Sequence, residues 1–283
     1  MNLLIYFLVA QAVVAVLWSN PERGRKLLVK WGVPEPSDTQ ITMALHYRRL
    51  RWICYPFLLT GMAGVSVLMT GGDRDGMTSF PAALLFAAAI AELLALPTSK
   101  HAPPVRHPLF SLIPRWGAVL YGVALLTTIV VGIIDLPAED LATSALASTN
   151  TSNPGIAQRP IPTVAPLVAT AAVLLAVAVV LRVSTTRSFS ADRAVDLALR
   201  VRSARVALAL GVVSQVVYVL SLAWWRIPVV ANQVHLDDSA LGWAQVDRTL
   251  GPPLAVLVFL TLACWPLLAS PPTPKGLLRK RPC

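Results

Sequence analysis

Seven apolar stretches, each close to the roughly 20 residues that a helix needs to cross a hydrocarbon core, recur along the 283-residue chain with short basic segments between them. They fall at 2–18, 52–70, 80–97, 116–135, 163–181, 206–225 and 251–269. Lipid offers the backbone no hydrogen-bond partner, so runs of this length must be helices that satisfy their own amides. Composition excludes the soluble alternative: 13% of residues are charged and 55% hydrophobic, whereas a soluble domain is about a quarter charged. The expected fold class is all-α, a polytopic membrane protein with one transmembrane domain over 1–283. A flexible outer loop is expected at 137–162, which is rich in Ser, Thr, Asn, Ala and Pro, and a basic cytoplasmic tail at 270–283.

Charge sets the orientation. Of the 24 Lys and Arg, 20 lie on one set of alternating loops and four, Arg74, Arg159, Arg226 and Arg248, on the other. The positive-inside rule then places the N-terminus outside, the C-terminus in the cytoplasm, and the chain in a plasma membrane. A net charge of +10 in a soluble protein would point to nucleic acid. Here the basic residues sit at span ends, without base-stacking aromatics or zinc spacing, and no nucleic-acid partner is expected. Arg outnumbers Lys 19 to 5, a bias expected of a GC-rich bacterial genome. The segment 2–18 lacks the basic start and small-residue cleavage site of a signal peptide and is taken as the first span. Cys54, Cys264 and Cys283 are too dispersed for a disulfide framework or a zinc site.

Local signals punctuate the cytoplasmic side. Asn20 followed by Pro21 predicts a capped helix over 22–31, closed by Gly32. Its pattern is basic and amphipathic, so Leu27, Leu28 and Trp31 are expected on the membrane, with Arg23, Lys26 and Lys30 toward anionic headgroups. A solvated connector helix is the alternative. Ser37 and Gln40 have capping-box spacing and predict a helix running into the second span. Before the sixth span, 192–205 reads as a charged helical lead-in, with Asp196 and Arg200 at i,i+4.

An offset of 154 residues places Ala44-Leu-His-Tyr-Arg48-Arg-Leu-Arg51 over Ala198-Leu-Arg-Val-Arg202-Ser-Ala-Arg205, with four of eight positions identical. At an offset of 172, the run from Pro81 to Ala91 lies over that from Pro253 to Ala263 in hydropathy. Both pair spans two and three with six and seven in the same direction, which implies a parallel 3+1+3 repeat. This topology resembles that of SWEET sugar transporters. It departs from them in its prolines, since Pro56 stands alone in span two and span one has none. Microbial rhodopsins are excluded, because span seven has no Lys for a retinal Schiff base. Ala91-Glu-Leu-Leu94, Pro114-Arg-Trp116 and the 196–205 segment resemble uncharacterised seven-span integral membrane proteins of actinobacteria. That resemblance implies a fold and carries no activity.

Glu92 is the charged residue that falls well inside a span, about five residues from its cytoplasmic end. A carboxylate there costs a few kcal/mol unless it faces protein, water or a cation. It reads either as a proton or cation coupling site or as half of a structural ion pair, with Arg115, Arg51 or Arg182 as partners. Gln11, Thr60, Ser214, Gln215 and Tyr218 could line a polar cavity or form interhelical hydrogen bonds. Asp135, Asp237, Asp238 and Asp247 read as a solvated acidic rim on the outer side. The chain contains no His-Glu-x-x-His, Gly-x-Ser-x-Gly or Gly-x-x-x-x-Gly-Lys, so no catalytic residue, metal site or cofactor is expected. Two functions remain open. One is a permease for a small solute, with Glu92 as coupling carboxylate. The other is a non-transporting membrane subunit or sensor that engages lipid or a membrane or cytoplasmic protein through its basic loops.

Overall fold

The computed structural model describes residues 20–47, 49, 54, 80–94, 108–148, 164–187, 190, 192–223 and 238–271. Among them there is no strand. The helices are α1 (Pro21–Lys30), α2 (38–47), α3 (Phe80–Leu94), α4 (Leu109–Leu112), α5 (Arg115–Ser148), α6 (Val164–Thr186), α7 (Arg193–Ala223) and α8 (Asp238–Ala269).

The sequence signals at the basic end are realised in detail. Asn20 Oδ1 accepts the Glu22 amide at 3.0 Å and Pro21 opens α1. Gly32 closes the helix with φ of 98°, and the amides of Val33 and Gly32 turn back to the carbonyls of Leu28 and Val29. These are the paired bonds of a Schellman ending, which needs the left-handed conformation that glycine adopts freely. At the start of α2, Ser37 N–H donates to Gln40 Oε1 at 2.9 Å and the Gln40 amide reaches Ser37 Oγ at 3.3 Å, a complete capping box.

α7 is the axis of the bundle. It touches α3, α4, α5, α6 and α8, and most of its residues from Val195 to Val219 are buried. Val177 of α6 and Tyr121 of α5 meet it at Gly211, while Val131 of α5 and Leu254 of α8 meet it at Val219. Nearer its start, Leu268 of α8 and Leu208 both approach Gly117 of α5. These contacts fix directions: α5 runs parallel to α7, and α6 and α8 run antiparallel. The starts of α5 and α7 and the ends of α6 and α8 therefore share one end of the bundle, and the end of α3 joins them through Glu92 and Ser203. Of the described Lys and Arg, Arg248 alone lies toward the other end.

The outer helices show the inverse pattern. Leu126 and Ile133 of α5, Leu175 of α6, and Phe259 and Leu262 of α8 are all exposed. Soluble monomers rarely leave contiguous apolar surface of this kind bare, whereas lipid covers it without cost. Three helical segments are long and apolar enough to cross a membrane: Arg115–Pro137, Pro166–Thr186 and Arg248–Ala269. They coincide with the fourth, fifth and seventh expected spans. The third is a shorter apolar helix, Ala82–Leu94, and the sixth lies within α7. Span 2–18, and span 52–70 apart from Cys54, lie outside the described residues, so the described helices reach three clear spans rather than seven.

One boundary differs from expectation. The outer loop was expected from Pro137, but α5 continues through that proline to Ser148. An interior proline costs about 3 kcal/mol of helix stability, but the Ala- and Leu-rich sequence that follows has strong helix propensity. The remainder, 149–162, lies outside the described residues.

Candidate functional site

The first 15-residue apolar helix, α3, is rich in alanine, and Ala87, Ala88 and Ala91 are buried against its neighbours. Small residues let α3 approach α6 and α7 closely, which carries Glu92 into the interior at 0% exposure. Its Oε1 accepts a hydrogen bond from Ser203 Oγ of α7 at 2.5 Å and another from the Tyr47 hydroxyl at the end of α2. Tyr47 Oη and Ser203 Oγ also lie within hydrogen-bonding distance of each other, a contact left without a proton while both hydroxyls donate to Glu92. One carboxylate oxygen thus ties together three elements far apart in sequence.

Beside it, one turn earlier on α7, Arg200 is fully buried and its Nε lies 2.7 Å from Asp196 Oδ2. The N–H is not aimed along that line, so the contact is an ion pair more than a linear hydrogen bond. Arg200 Nη1 also points to the Ser184 carbonyl at 3.5 Å, and Asp196 Oδ1 accepts the Ser190 amide at 3.3 Å. The expected i,i+4 pair is therefore formed, but inside the protein rather than on a solvated lead-in.

α2 is latched to α7 a second time. Asp192 caps α7, its Oδ1 accepting the amides of Ala194 and Val195 at 2.9 and 3.0 Å. Its Oδ2 accepts Gln40 Nε2 at 2.8 Å. The Gln40 amide, then the backbone N–H groups of the cap, hold the Asp192 carboxyl below its ordinary value. At the same end Arg205 donates to the carbonyls of Leu268 and Leu267 at 3.0 and 3.2 Å. A cation there satisfies the last carbonyls of α8 and opposes its dipole.

A second polar level lies about three turns further along α7. Ser214 and Gln215 are fully buried and Tyr218 nearly so. Ser214 Oγ donates to the Leu210 carbonyl of its own helix, 2.8 Å away. Thr128 of α5 donates to the carbonyls of Ala124 and Gln215, and Gln215 Nε2 points at the Thr170 carbonyl of α6 at 3.5 Å.

Placement of the expected residues is mixed. Glu92, Ser214, Gln215 and Tyr218 are buried at helix contacts. Arg115 and Arg182 are exposed, and the described hydrogen bonds of Glu92 come from Tyr47 and Ser203 instead. Arg51, Gln11 and Thr60 lie outside the described residues. On α1, Arg23, Lys26 and Lys30 are exposed, with Lys26 paired to Glu22 at 2.8 Å. Trp31 and Leu28 correct the expectation of a lipid-facing apolar side: both are buried in the protein core, because α1 folds back onto α2 with Gly24 against Ile41 and Leu45. Asp135 is also buried rather than part of a solvated rim. Asp237 lies outside the described residues.

No known protein family matches this chain, and no curated protein or solved structure is similar to it. The functional reading rests on the site itself. Sequence reasoning missed Tyr47 and Ser203, although both stand in the two segments aligned by the repeat. A hydroxyl beside arginines carries little signal until a carboxylate from a third helix is known to face it.

Proposed function

We propose that the chain is a seven-span plasma-membrane permease for a small solute, N-terminus outside and C-terminus in the cytoplasm, with Glu92 as its coupling carboxyl. The observation that carries this reading is the single buried oxygen of Glu92 that binds Tyr47 and Ser203 at once. An ionised carboxylate accepts both hydroxyls. Protonation supplies a third proton and turns one acceptor position into a donor, so the hydrogen bonds of the three-way junction rearrange when a proton arrives. A titratable group that joins three elements at one mouth of a bundle is suited to couple proton uptake to opening there. The clustering of basic residues at that same end supports placing it in the cytoplasm.

The test is flux in reconstituted liposomes across a panel of polyols, sugars and amino acids, with trapped pyranine reporting protons. Glu92→Gln abolishes the pH dependence of flux while the protein stays folded in the membrane. Tyr47→Phe and Ser203→Ala keep the carboxyl and remove one donor each, so they shift the pH profile without erasing it. Flux with unchanged pH dependence in all three variants overturns the coupling role.

One observation favours the non-transporting subunit or sensor. α1 is held firmly by Leu28 and Trp31, leaving Arg25 and Lys30 exposed as a basic face. That reading gains if the wild-type protein moves no solute and a Lys30→Glu, Arg25→Glu variant loses binding to phosphatidylglycerol vesicles.

A further inference from the structure

The two described arginines that the sequence offered as partners for Glu92 face away from the protein. Arg115 at the start of α5 and Arg182 near the end of α6 are exposed, and among the described residues neither guanidinium has a hydrogen bond or an ion pair. Other arginines at this end are engaged: Arg205 caps α8, Arg187 Nη1 donates to the Leu93 carbonyl of α3 at 3.3 Å, and Arg200 pairs with Asp196. Each of the two free cations ends an exposed apolar stripe. On α6, Val168, Leu175 and Arg182 are exposed at seven-residue spacing, two helical turns apart, so they share one face. On α5, Val119, Leu126 and Ile133 repeat that spacing, and Arg115 stands one turn before the first of them.

Contacts on α7 put the two arginines at one depth. A Cβ on Gly211 would meet Tyr121 Cε2 of α5 at 2.9 Å and Val177 Cγ2 of α6 at 2.7 Å, so the two helices come together there, running in opposite directions. Arg115 lies six residues before Tyr121 and Arg182 five after Val177, which is about 9 and 8 Å toward the same end. Gly122 follows Tyr121 and Ala178 follows Val177. Both are exposed, and a Cβ on Gly122 would meet nothing within 4 Å. The outer surface beside the arginines is therefore low and unfilled.

Charge complementarity names the occupant. Residues 115–134 of α5 include no acidic residue, and α6 has none. A guanidinium at a bilayer edge with no protein partner is matched by a phosphate, which accepts two parallel N–H bonds from it. A phospholipid also covers the apolar stripes that the arginines end, which a soluble anion does not. We infer that Arg115 and Arg182 clamp the headgroup phosphate of an anionic phospholipid in the leaflet at the basic end of the bundle, with an acyl chain over Gly122 and Ala178. The site rests on α5 and α6 spanning the membrane and not on the permease reading. α1 is the competing basic surface, but Leu28 and Trp31 are committed to the core, so it offers charge without a seat for acyl chains.

The test is native mass spectrometry of the full-length protein in detergent, titrated with phosphatidylglycerol or phosphatidylcholine. Wild type retains phosphatidylglycerol in preference. Arg115→Gln and Arg182→Gln each lower that affinity about fivefold, as for one cation near an anionic headgroup, and the double variant removes the preference. Gly122→Ile keeps both charges and fills the surface where the chain lies, so it weakens phosphatidylglycerol binding without lowering the melting temperature. Arg193→Gln, at an exposed arginine on the same end of α7, changes nothing. If the preference survives in the double variant, or disappears only in Arg25→Gln with Lys30→Gln, the lipid is held elsewhere and the inference falls. If inorganic phosphate displaces the lipid and Gly122→Ile has no effect, the arginines form a bare anion site and the lipid assignment is overturned.

Discussion

Replacing Asp196 by Ala removes the carboxylate 2.7 Å from a guanidinium with no solvent exposure. Arg200 keeps its contact with the Ser184 carbonyl at 3.5 Å, a neutral acceptor. Breaking a buried pair from one side costs about 3–5 kcal/mol, because the remaining charge stays desolvated. Asp196 also accepts the Ser190 amide, so the loss spreads to the turn before α7. Replacing both members, Asp196→Leu with Arg200→Met, removes both charges and fills the space with similar apolar volume, and costs within about 1 kcal/mol of wild type. Titration with sodium dodecyl sulfate in mixed micelles measures the free energies of wild type and both variants. If the single change costs under about 1 kcal/mol, or the double change costs as much as the single, the pair is not a desolvated ion pair and its assignment to the core is wrong.

Gly211→Ala forces Tyr121 or Val177 to move and destabilises by about 1–3 kcal/mol, while Gly122→Ala, whose Cβ would meet nothing within 4 Å, is neutral or slightly stabilising; the same titration ranks them. Gly32→Ala strains a left-handed position by about 1–2 kcal/mol and frees α1, seen as faster limited proteolysis between α1 and α2. Asp192→Ala costs about 1 kcal/mol at neutral pH. Because the folded-state pKa of Asp192 is depressed, its contribution is full above the ordinary carboxylate range and disappears as pH falls through the lowered value, so wild type and variant converge in acid.

Short-range signals proved legible where backbone chemistry alone decides. Asn20, Pro21 and Gly32 bound α1, and Ser37 with Gln40 starts α2, because each of these residues satisfies or releases a backbone group within a few positions. Glu92 was legible for a similar reason: a charge in an apolar run must be buried against protein. Its two hydroxyl partners were not, because they come from helices 45 and 111 residues away in sequence. Trp31 failed in the opposite way, since amphipathicity shows that a face is apolar but not whether lipid or protein covers it. Only the return of the chain at Gly32, which brings α2 alongside, decides that.

The two polar levels of α7 also limit which element can move. α7 is enclosed by α3, α4, α5, α6 and α8, so shifting it breaks contacts along its whole length. α2 is joined to α7 by polar ties at two points, Gln40 to Asp192 and Tyr47 to Ser203 and Glu92. One of these ties ends on a titratable carboxyl, and the other on a carboxylate that also serves as the cap of α7. On the coupling role proposed for Glu92, its protonation acts on the first and leaves untouched the hydrogen bonds that hold α7 to α5 and α6 around Thr128 and Thr170. The proton-driven step that this proposal implies is then a pivot of α2 about its Gln40–Asp192 latch, with the axis of the bundle left in place.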